Sequence, residues 1–349
     1  MKFHKIIRSR APLRLGLAGG GTDIDTYSNK FGGCILNATV SMFAYATIEP
    51  RDDSKIILEA IDLGKKFETA TSPSLEIDGE LSLLKGTYNR VMKDFKRDDL
   101  GFKLTTYCDA PPGTGLGSSS TLVVAILGAF TEWLSLPLGH YDIAHLAYQI
   151  ERKDLAFAGG KQDQYAATFG GFNFMEFHDN DRVVVNPLKI PTKIVRELEM
   201  NIILYFLGIS RHSSDIIEDQ SNSSSKENSD SLEAMHEIKA RAVEMKESIL
   251  VNDLNNFGKI MDLGWASKKK TSNLISNDRI DRIYETALDA GALGGKISGA
   301  GGGGFFIFYA PGNSRYKVIN DLNSKYGGEF RRFNFTDYGL KKWTIDYQK

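Results

Sequence analysis

Sixteen of the chain's 34 glycines sit in four short clusters, at 16–21, 32–33, 113–117 and 294–304. Glycine spread evenly marks turns or low complexity. Glycine concentrated this way marks backbone that must come close to something, because only a residue without a Cβ permits it. The most informative cluster is Pro111-Pro112-Gly113-Thr114-Gly115-Leu116-Gly117-Ser118-Ser119-Ser120. It follows an alternating segment, 102–107, that reads as a strand, and it opens Thr121–Leu134, which is apolar on nearly all sides and reads as a buried helix. A helix N-terminus presents unpaired N–H groups and the positive end of the helix dipole. Glycines ahead of it let the backbone wrap an anion, and serine hydroxyls add donors or metal ligands, so the segment has the makings of a phosphate cradle. No Lys follows the last Gly, so it is not a Walker A loop. The plainer alternative is a Ser N-cap after a glycine turn.

A second cluster, Gly299-x-Gly301-x-x-Gly304, has the spacing of a dinucleotide fingerprint. That fingerprint follows a strand and opens a helix. Here the helical pattern of 278–290, with Asp278 near its cap, comes first and the strand FFIFY, 305–309, comes after. The order excludes the dinucleotide reading. It leaves a glycine loop that carries backbone to a substrate or phosphate, or a tight helix-to-strand turn.

Around these loops, the 349 residues suggest about two domains. Proline and charge thicken over 187–199, which places the division at 1–190 and 191–349. Segments 34–49 and 201–207 read as strands, 141–154, 232–249 and 318–322 as helices, and a strand is expected near 330–335. The polar stretch 219–231 reads as a surface loop, with substrate gating as the alternative. Helices on an antiparallel sheet, an α+β arrangement, fit the second half. A net charge of −1 excludes a broadly basic nucleic-acid protein. Cys34 and Cys108 are too few for a disulfide scaffold or a Cys-rich zinc site. The first residues lack an apolar signal core and the run 122–130 is too short to span a bilayer, so no membrane role and a reducing cytoplasm are expected.

The segment 111–120 between a strand and a buried helix resembles the central phosphate motif of the GHMP kinases. Arg10-Ala11-Pro12-Leu13-Arg14-Leu15-Gly16-Leu17-Ala18-Gly19-Gly20-Gly21-Thr22-Asp23 and Lys296-Ile297-Ser298-Gly299-Ala300-Gly301-Gly302-Gly303-Gly304 resemble the family's first and third motifs, in its order. The resemblance implies a two-domain fold, an N-terminal α/β domain with a left-handed βαβ-type unit and a C-terminal ferredoxin-like α+β domain. It implies ATP held by Pro112, Gly113, Thr114, Gly115, Leu116, Gly117, Ser118, Ser119 and Ser120, and Mg²⁺ held by Ser119 and Glu151. Glu151 lies at the edge of the apolar stripe of Ile143, Ala147 and Ile150, where a carboxylate needs a partner. A surface pair with Arg152 or Lys153 is the alternative.

Asp163, in Gly159-Gly160-Lys161-Gln162-Asp163-Gln164-Tyr165, matches the family's acid beside the acceptor hydroxyl, as a base, as an orienting group, or merely as a helix cap. Arg14 stands where the family carries Lys or Arg to neutralise the moving phosphoryl group, unless it is a strand-end surface residue. Gly19-Gly20-Gly21-Thr22-Asp23 departs from the family's Gly-Glu-His pattern and resembles its sugar 1-kinase branch, especially the D-glycero-D-manno-heptose 7-phosphate kinases. So do Leu207–Ser214, Trp265–Lys268 and Asn277–Lys296. Gly20, Gly21, Thr22 and Asp23 would then face the sugar, with Gly299 and Gly301 nearby. Lys161, Arg211, Lys268 and Lys296 are candidates for a second substrate phosphate. The branch implies a sugar-phosphate substrate, phosphorylation at the anomeric hydroxyl, a route to GDP-heptose for surface glycans, and a monomer or homodimer. L-Fucose, galactose or an N-acetylhexosamine as acceptor, or a non-catalytic binder of nucleotide and sugar, are the alternatives. An adenine pocket is expected among residues 55–110.

Overall fold

The computed structural model describes residues 3–97, 100–206, 208, 213–224 and 230–348. The chain builds two sheets. The first holds β1 (Phe3–Ala18), β2 (Gly33–Pro50), β3 (Lys55–Ala60), β4 (Lys65–Ala70), β5 (Phe102–Cys108), β6 (Phe172–Phe177) and β7 (Val183–Pro187). The second holds β8 (Ile202–Phe206), β9 (Gly294–Ile297), β10 (Phe305–Tyr309) and β11 (Glu329–Arg331); the last strand, β12 (Lys341–Gln348), rejoins the first sheet.

The main path of the first sheet runs β12-β1-β2-β5-β3-β4, with β6 and then β7 continuing from β2. β3 and β5 are parallel, joined through β4 and the helix Ser82–Phe95, while the other pairings are antiparallel. β2 is long enough, at 18 residues, to pair β5 along one half and β6 along the other. Helix Ser118–Leu134 lies across this sheet and is buried on almost every face, which is why its sequence shows no polar stripe. The register of β1 slips between Pro12 and Arg14 and again between Gly16 and Ala18. Such bulges re-aim side chains, and the first of them sits at Arg14.

The second sheet has the order β11-β8-β10-β9, all antiparallel. With helices between β8 and β9 and the helix Ser314–Tyr326 between β10 and β11, this is the ferredoxin-like arrangement. Alternate residues of β8 and β10 explain its continuous apolar runs. Ile202, Leu204, Phe305 and Ile307 join the main core, packed with Met245, Phe257 and Met261. Ile203, Tyr205, Phe306 and Phe308 form a second core with Ile283, Val318 and Leu322.

Three expectations need correction or addition. The polar stretch 219–231 is not a loop throughout, because helix Ser213–Ser224 takes its first residues and helix Asp230–Leu250 its last two, while 225–229 lie outside the described residues. Tertiary contacts override composition here: Ile216 is buried, Gln220 Nε2 donates to Thr271 Oγ1 at 2.7 Å, and the Ser272 hydroxyl donates to Asp219. The cap of helix Asp278–Asp289 is Asn277, whose side chain accepts from the N–H groups of Arg279 and Ile280. Finally, β12 lies antiparallel on β1, Arg10 opposite Lys341 and Phe3 opposite Gln348, so the end of the chain returns across the expected division at 190. Among the described residues no helix is long and apolar enough to cross a membrane.

Candidate active site

The glycine clusters meet where the two sheets' loops face each other. Gly113, Gly115 and Gly117 all take positive φ, at 77°, 82° and 78°. Gly117 caps helix Ser118–Leu134 with no side-chain hydrogen bond, so the first N–H groups of the helix stay open to an anion. The loop is fixed from the other side by backbone. Phe305 N–H donates to Thr114 O at 3.1 Å, Ser298 Oγ donates to Gly115 O at 2.7 Å, and Arg14 N–H donates to Leu116 O at 3.1 Å. A Cβ on Gly115 would stand 2.1 Å from the carbonyl oxygen of Ser298. The loops fit only because the residue there is glycine.

A cavity of about 200 Å³ opens in front of this junction, walled by Gly113, Gly115, Gly117, Ser118, Ser119, Ser120, Glu151, Asp163, Asp23 and Lys268. Arg14 is buried, so it is not a surface strand-end residue. Its Nε and Nη2 reach Asp163 Oδ1 at 2.7 and 2.6 Å, and its Nη1 donates to Gly115 O at 2.5 Å. Asp163 does not cap its helix, Gln162–Phe169. Its Oδ2 lies toward Gly117, where a Cβ would come within 3.2 Å, and no donor among the described residues reaches that oxygen. The carboxylate is thus gripped through one oxygen and offers the other beside the glycine loop at Gly117.

Glu151 is the second residue of a π-type turn, Ile150–Asp154, closed by Leu155 N–H on Ile150 O at 3.0 Å. The extra residue of such a turn re-aims side chains and recurs at functional sites. Glu151 is 1% exposed and lines the cavity. Arg152 lies 3.5 Å away, but inside the cavity wall rather than on the surface. Gln164 Nε2 donates to Glu151 Oε2 at 2.6 Å and to Ser120 Oγ at 3.1 Å, tying the acid to the phosphate loop. Sequence reasoning quoted Gln164 and Ser298 within motifs but gave them no role. Only the contacts across the chain reveal one.

Asp23, which also lines the cavity, is buried against Gly160, where a Cβ would meet its Oδ2 at 1.9 Å. It accepts from Gln162 N–H at 3.0 Å and Gly21 N–H at 3.2 Å. Burial raises its pKa above the usual carboxylate value, the neighbouring Asp163 adds to this, and the backbone donors oppose it. Thr22 does not line the cavity, since its hydroxyl bonds to the carbonyls of Gly19 and Cys34 and shapes the turn. Gly21 and Gly299 line the cavity, whereas Gly301 packs on Ile275 and Gly20 lines a smaller neighbouring cavity.

The four candidate cations separate. Arg211 lies outside the described residues. Lys161 is buried and held by Asp25 at 2.7 Å and Asp181 at 2.9 Å, away from the cavity lining. Burial opposes its charge, but these two carboxylates outweigh it and raise its pKa. Lys268 and Lys296 are buried and donate to backbone carbonyls, of Gly299 at 2.9 Å and Gly16 at 2.8 Å. Burial lowers Lys268 to about 8, and Arg14 contributes while Asp23 opposes. Lys296 is held well below its ordinary value, by burial first and then by Lys268 and Arg14. Lys161→Met is therefore expected to cost about 2–3 kcal/mol of stability, a partly exposed version of a broken buried pair. It should leave the sugar KM within a few-fold, as urea unfolding and steady-state kinetics would check.

A second cavity, of about 240 Å³ and mostly apolar, adjoins the first and shares Ser118, Ser119 and Phe157 with it. Ala60, Leu63, Leu81, Cys108 and Pro112 line it, within or beside the span 55–110 expected for an adenine pocket.

A chain that joins a glycine-built anion cradle to an arginine–aspartate pair has the parts of a phosphotransferase. Residues 82–171 match the GHMP kinases N terminal domain, and 242–328 match the GHMP kinases C terminal domain. The chain belongs to the GHMP kinase family. Within it, the chain is 50% identical over 341 residues to the D-glycero-alpha-D-manno-heptose 7-phosphate kinase of Campylobacter jejuni, covering 98% of this chain and all of that one. Its fold is similar to the crystal structure of a D-glycero-D-manno-heptose 1-phosphate kinase from Bacteroides thetaiotaomicron, with a TM-score of 0.83, 46% identity, and 98% and 100% of the two chains covered. Lactococcus lactis galactokinase shares the fold at 19% identity, with a TM-score of 0.78 and 97% and 95% covered.

Proposed function

We propose that the chain transfers the terminal phosphoryl group of ATP to the anomeric C1 hydroxyl of D-glycero-α-D-manno-heptose 7-phosphate, giving the 1,7-bisphosphate. The observation that carries this reading is the convergence on one cavity of an open helix N-terminus and the Arg14–Asp163 pair. The choice of sugar rests on likeness to the Campylobacter enzyme over nearly the whole chain. Such a product would feed nucleotide activation of the heptose.

The residues divide the work as phosphoryl transfer requires, through positioning and charge stabilisation. The N–H groups at 117–120 bind the phosphates, and the apolar cavity beside Pro112 takes the base. Arg14, held by Asp163 and Gly115, stands ready to offset charge on the transferring group. Asp163 Oδ2 orients the acceptor hydroxyl and receives its proton as the new O–P bond forms and ADP departs. Asp23 accepts from sugar hydroxyls.

The donor set fits Mg²⁺: a buried carboxylate, Glu151, and the neighbouring Ser119 hydroxyl are both hard oxygen ligands, and substrate phosphates and water complete such a shell. When bound there, the ion would neutralise phosphate charge. Glu151→Gln is expected to raise the Mg²⁺ concentration for half-maximal rate by at least about tenfold, with fold stability retained. A Mg²⁺ titration at fixed ATP, with a melting curve, reads both.

A sugar panel tests the function. ADP release should be greatest with the heptose 7-phosphate, and phosphorus NMR should show a new anomeric phosphate. Preference for an unphosphorylated hexose would make the chain a different sugar 1-kinase. Nucleotide binding without turnover on any sugar would favour a regulatory binder.

A further inference from the structure

We infer that Lys268 is the residue that recognises the distal phosphate of the sugar substrate. This rests on the proposed sugar-phosphate reading and assigns it a residue. Lys268 closes the helix Leu254–Lys269 and is 4% exposed, yet it lines the reaction cavity. Its ammonium donates to the Gly299 carbonyl at 2.9 Å, and no carboxylate among the described residues lies within ion-pair distance. An ammonium has three donors, so two remain for a ligand. A buried charge left with one neutral acceptor is costly unless an anion joins it.

Gly21 and Gly299, which carry no side chains, line the reaction cavity together with Lys268. Gly20 backs the ammonium from the smaller cavity, where a Cβ would lie 4.0 Å from Lys268 Nζ. Gly20 precedes Asp23 by three residues in the same turn. A sugar whose ring hydroxyls meet Asp23 can extend its far end past Gly21 toward Lys268, all three residues lining the one cavity.

Behind Gly20, Lys296 and Arg241 line a cavity of about 20 Å³ together with Lys268. Arg241 Nε is buried there without a partner. That space suits a water at most, so the phosphate belongs on the reaction-cavity side at Lys268. Lys161, the other described candidate, already carries two carboxylates and has no comparable vacancy for an anion.

The test compares heptose 7-phosphate with the dephosphorylated heptose in wild type, Lys268→Met and Lys268→Arg. The wild-type preference for the phosphorylated sugar, as a ratio of kcat/KM, should collapse by at least about 30-fold in Lys268→Met, the scale of a lost charged hydrogen bond, and largely return in Lys268→Arg. An undiminished preference in Lys268→Met overturns the inference alone. A wild type indifferent to the phosphate overturns the sugar-phosphate reading beneath it, and the inference with it.

Should Lys268→Met not fold, the pH profile of wild type against Lys268→Arg decides. Asp23, Arg14 and Lys296 are the charged groups that face Lys268, and burial leaves it near pH 8 in the free enzyme. Wild-type kcat/KM for the phosphorylated sugar should therefore decline above about pH 8. That decline should be absent from Lys268→Arg, whose guanidinium stays charged. The same decline in both proteins contradicts the assignment.

Discussion

Asp163→Asn should lower kcat by at least about 100-fold, the scale of a positioned acid–base group, while affinity for a nonhydrolysable ATP analogue changes only a few-fold. The asymmetry follows from the geometry. Arg14 holds Oδ1 of Asp163, and Oδ2 alone faces the phosphate loop. The amide can keep a bond to Arg14 through its oxygen, but it presents NH₂ where the acceptor hydroxyl must deliver its proton. In the proposed function the nucleotide is held by backbone at 113–120, which this substitution does not touch. Calorimetry and single-turnover kinetics together separate the two effects. Unchanged turnover would remove Asp163 from the chemistry, and lost nucleotide binding would make it a structural residue.

Gly115→Ala should lower kcat/KM for ATP by at least about 100-fold, the scale of a 1 Å displacement at a reacting centre. Residue 115 sits at φ 82°, where a side chain is strained, and the new Cβ would lie 2.1 Å from the Ser298 carbonyl oxygen. Both neighbours are backbone, so relief requires the loops 113–117 and 298–304 to part. Arg14 and Ser298 both bond to the Gly115 carbonyl, and so the Arg14–Asp163 pair moves with it. Gly312→Ala is the control: φ is 59° there, but nothing lies within 4 Å of the new Cβ. It should cost only the strain, about 1–2 kcal/mol, and leave activity intact. Equal kinetic effects at the two positions would refute the loop-docking explanation.

The glycine turn at 113–117 and the helix it opens were legible in sequence because their causes are local. The partners that fix the turn, Ser298 and Phe305, come from a distant segment and were not. The all-apolar β8 and β10 were legible for a similar reason, since burial on both faces leaves a continuous run. β1 was harder: Arg8 and Arg10 do alternate with buried Ile7, Ser9 and Ala11, but Ser9, Pro12 and Gly16 are weak strand formers and two register slips follow. The helix at 219–224 was hidden because its support comes from Thr271 and Ser272, distant in the chain.

The site shows the same division. Arg14, Glu151 and Asp163 stood out through motifs, but the four lysine and arginine candidates were indistinguishable as residue types. What separates Lys161 from Lys268 is the presence or absence of carboxylates brought in by other segments, Asp25 and Asp181 in the first case. Gln164 is likewise defined by reaching Glu151 and Ser120 at once.

The most direct measurement is a crystal structure of the chain with a nonhydrolysable ATP analogue and the heptose 7-phosphate bound together. The triphosphate should lie along 113–120, its terminal phosphorus beside Arg14, with the anomeric hydroxyl against Asp163 Oδ2. A triphosphate seated away from that loop, or an anomeric hydroxyl turned away from Asp163, would contradict the account.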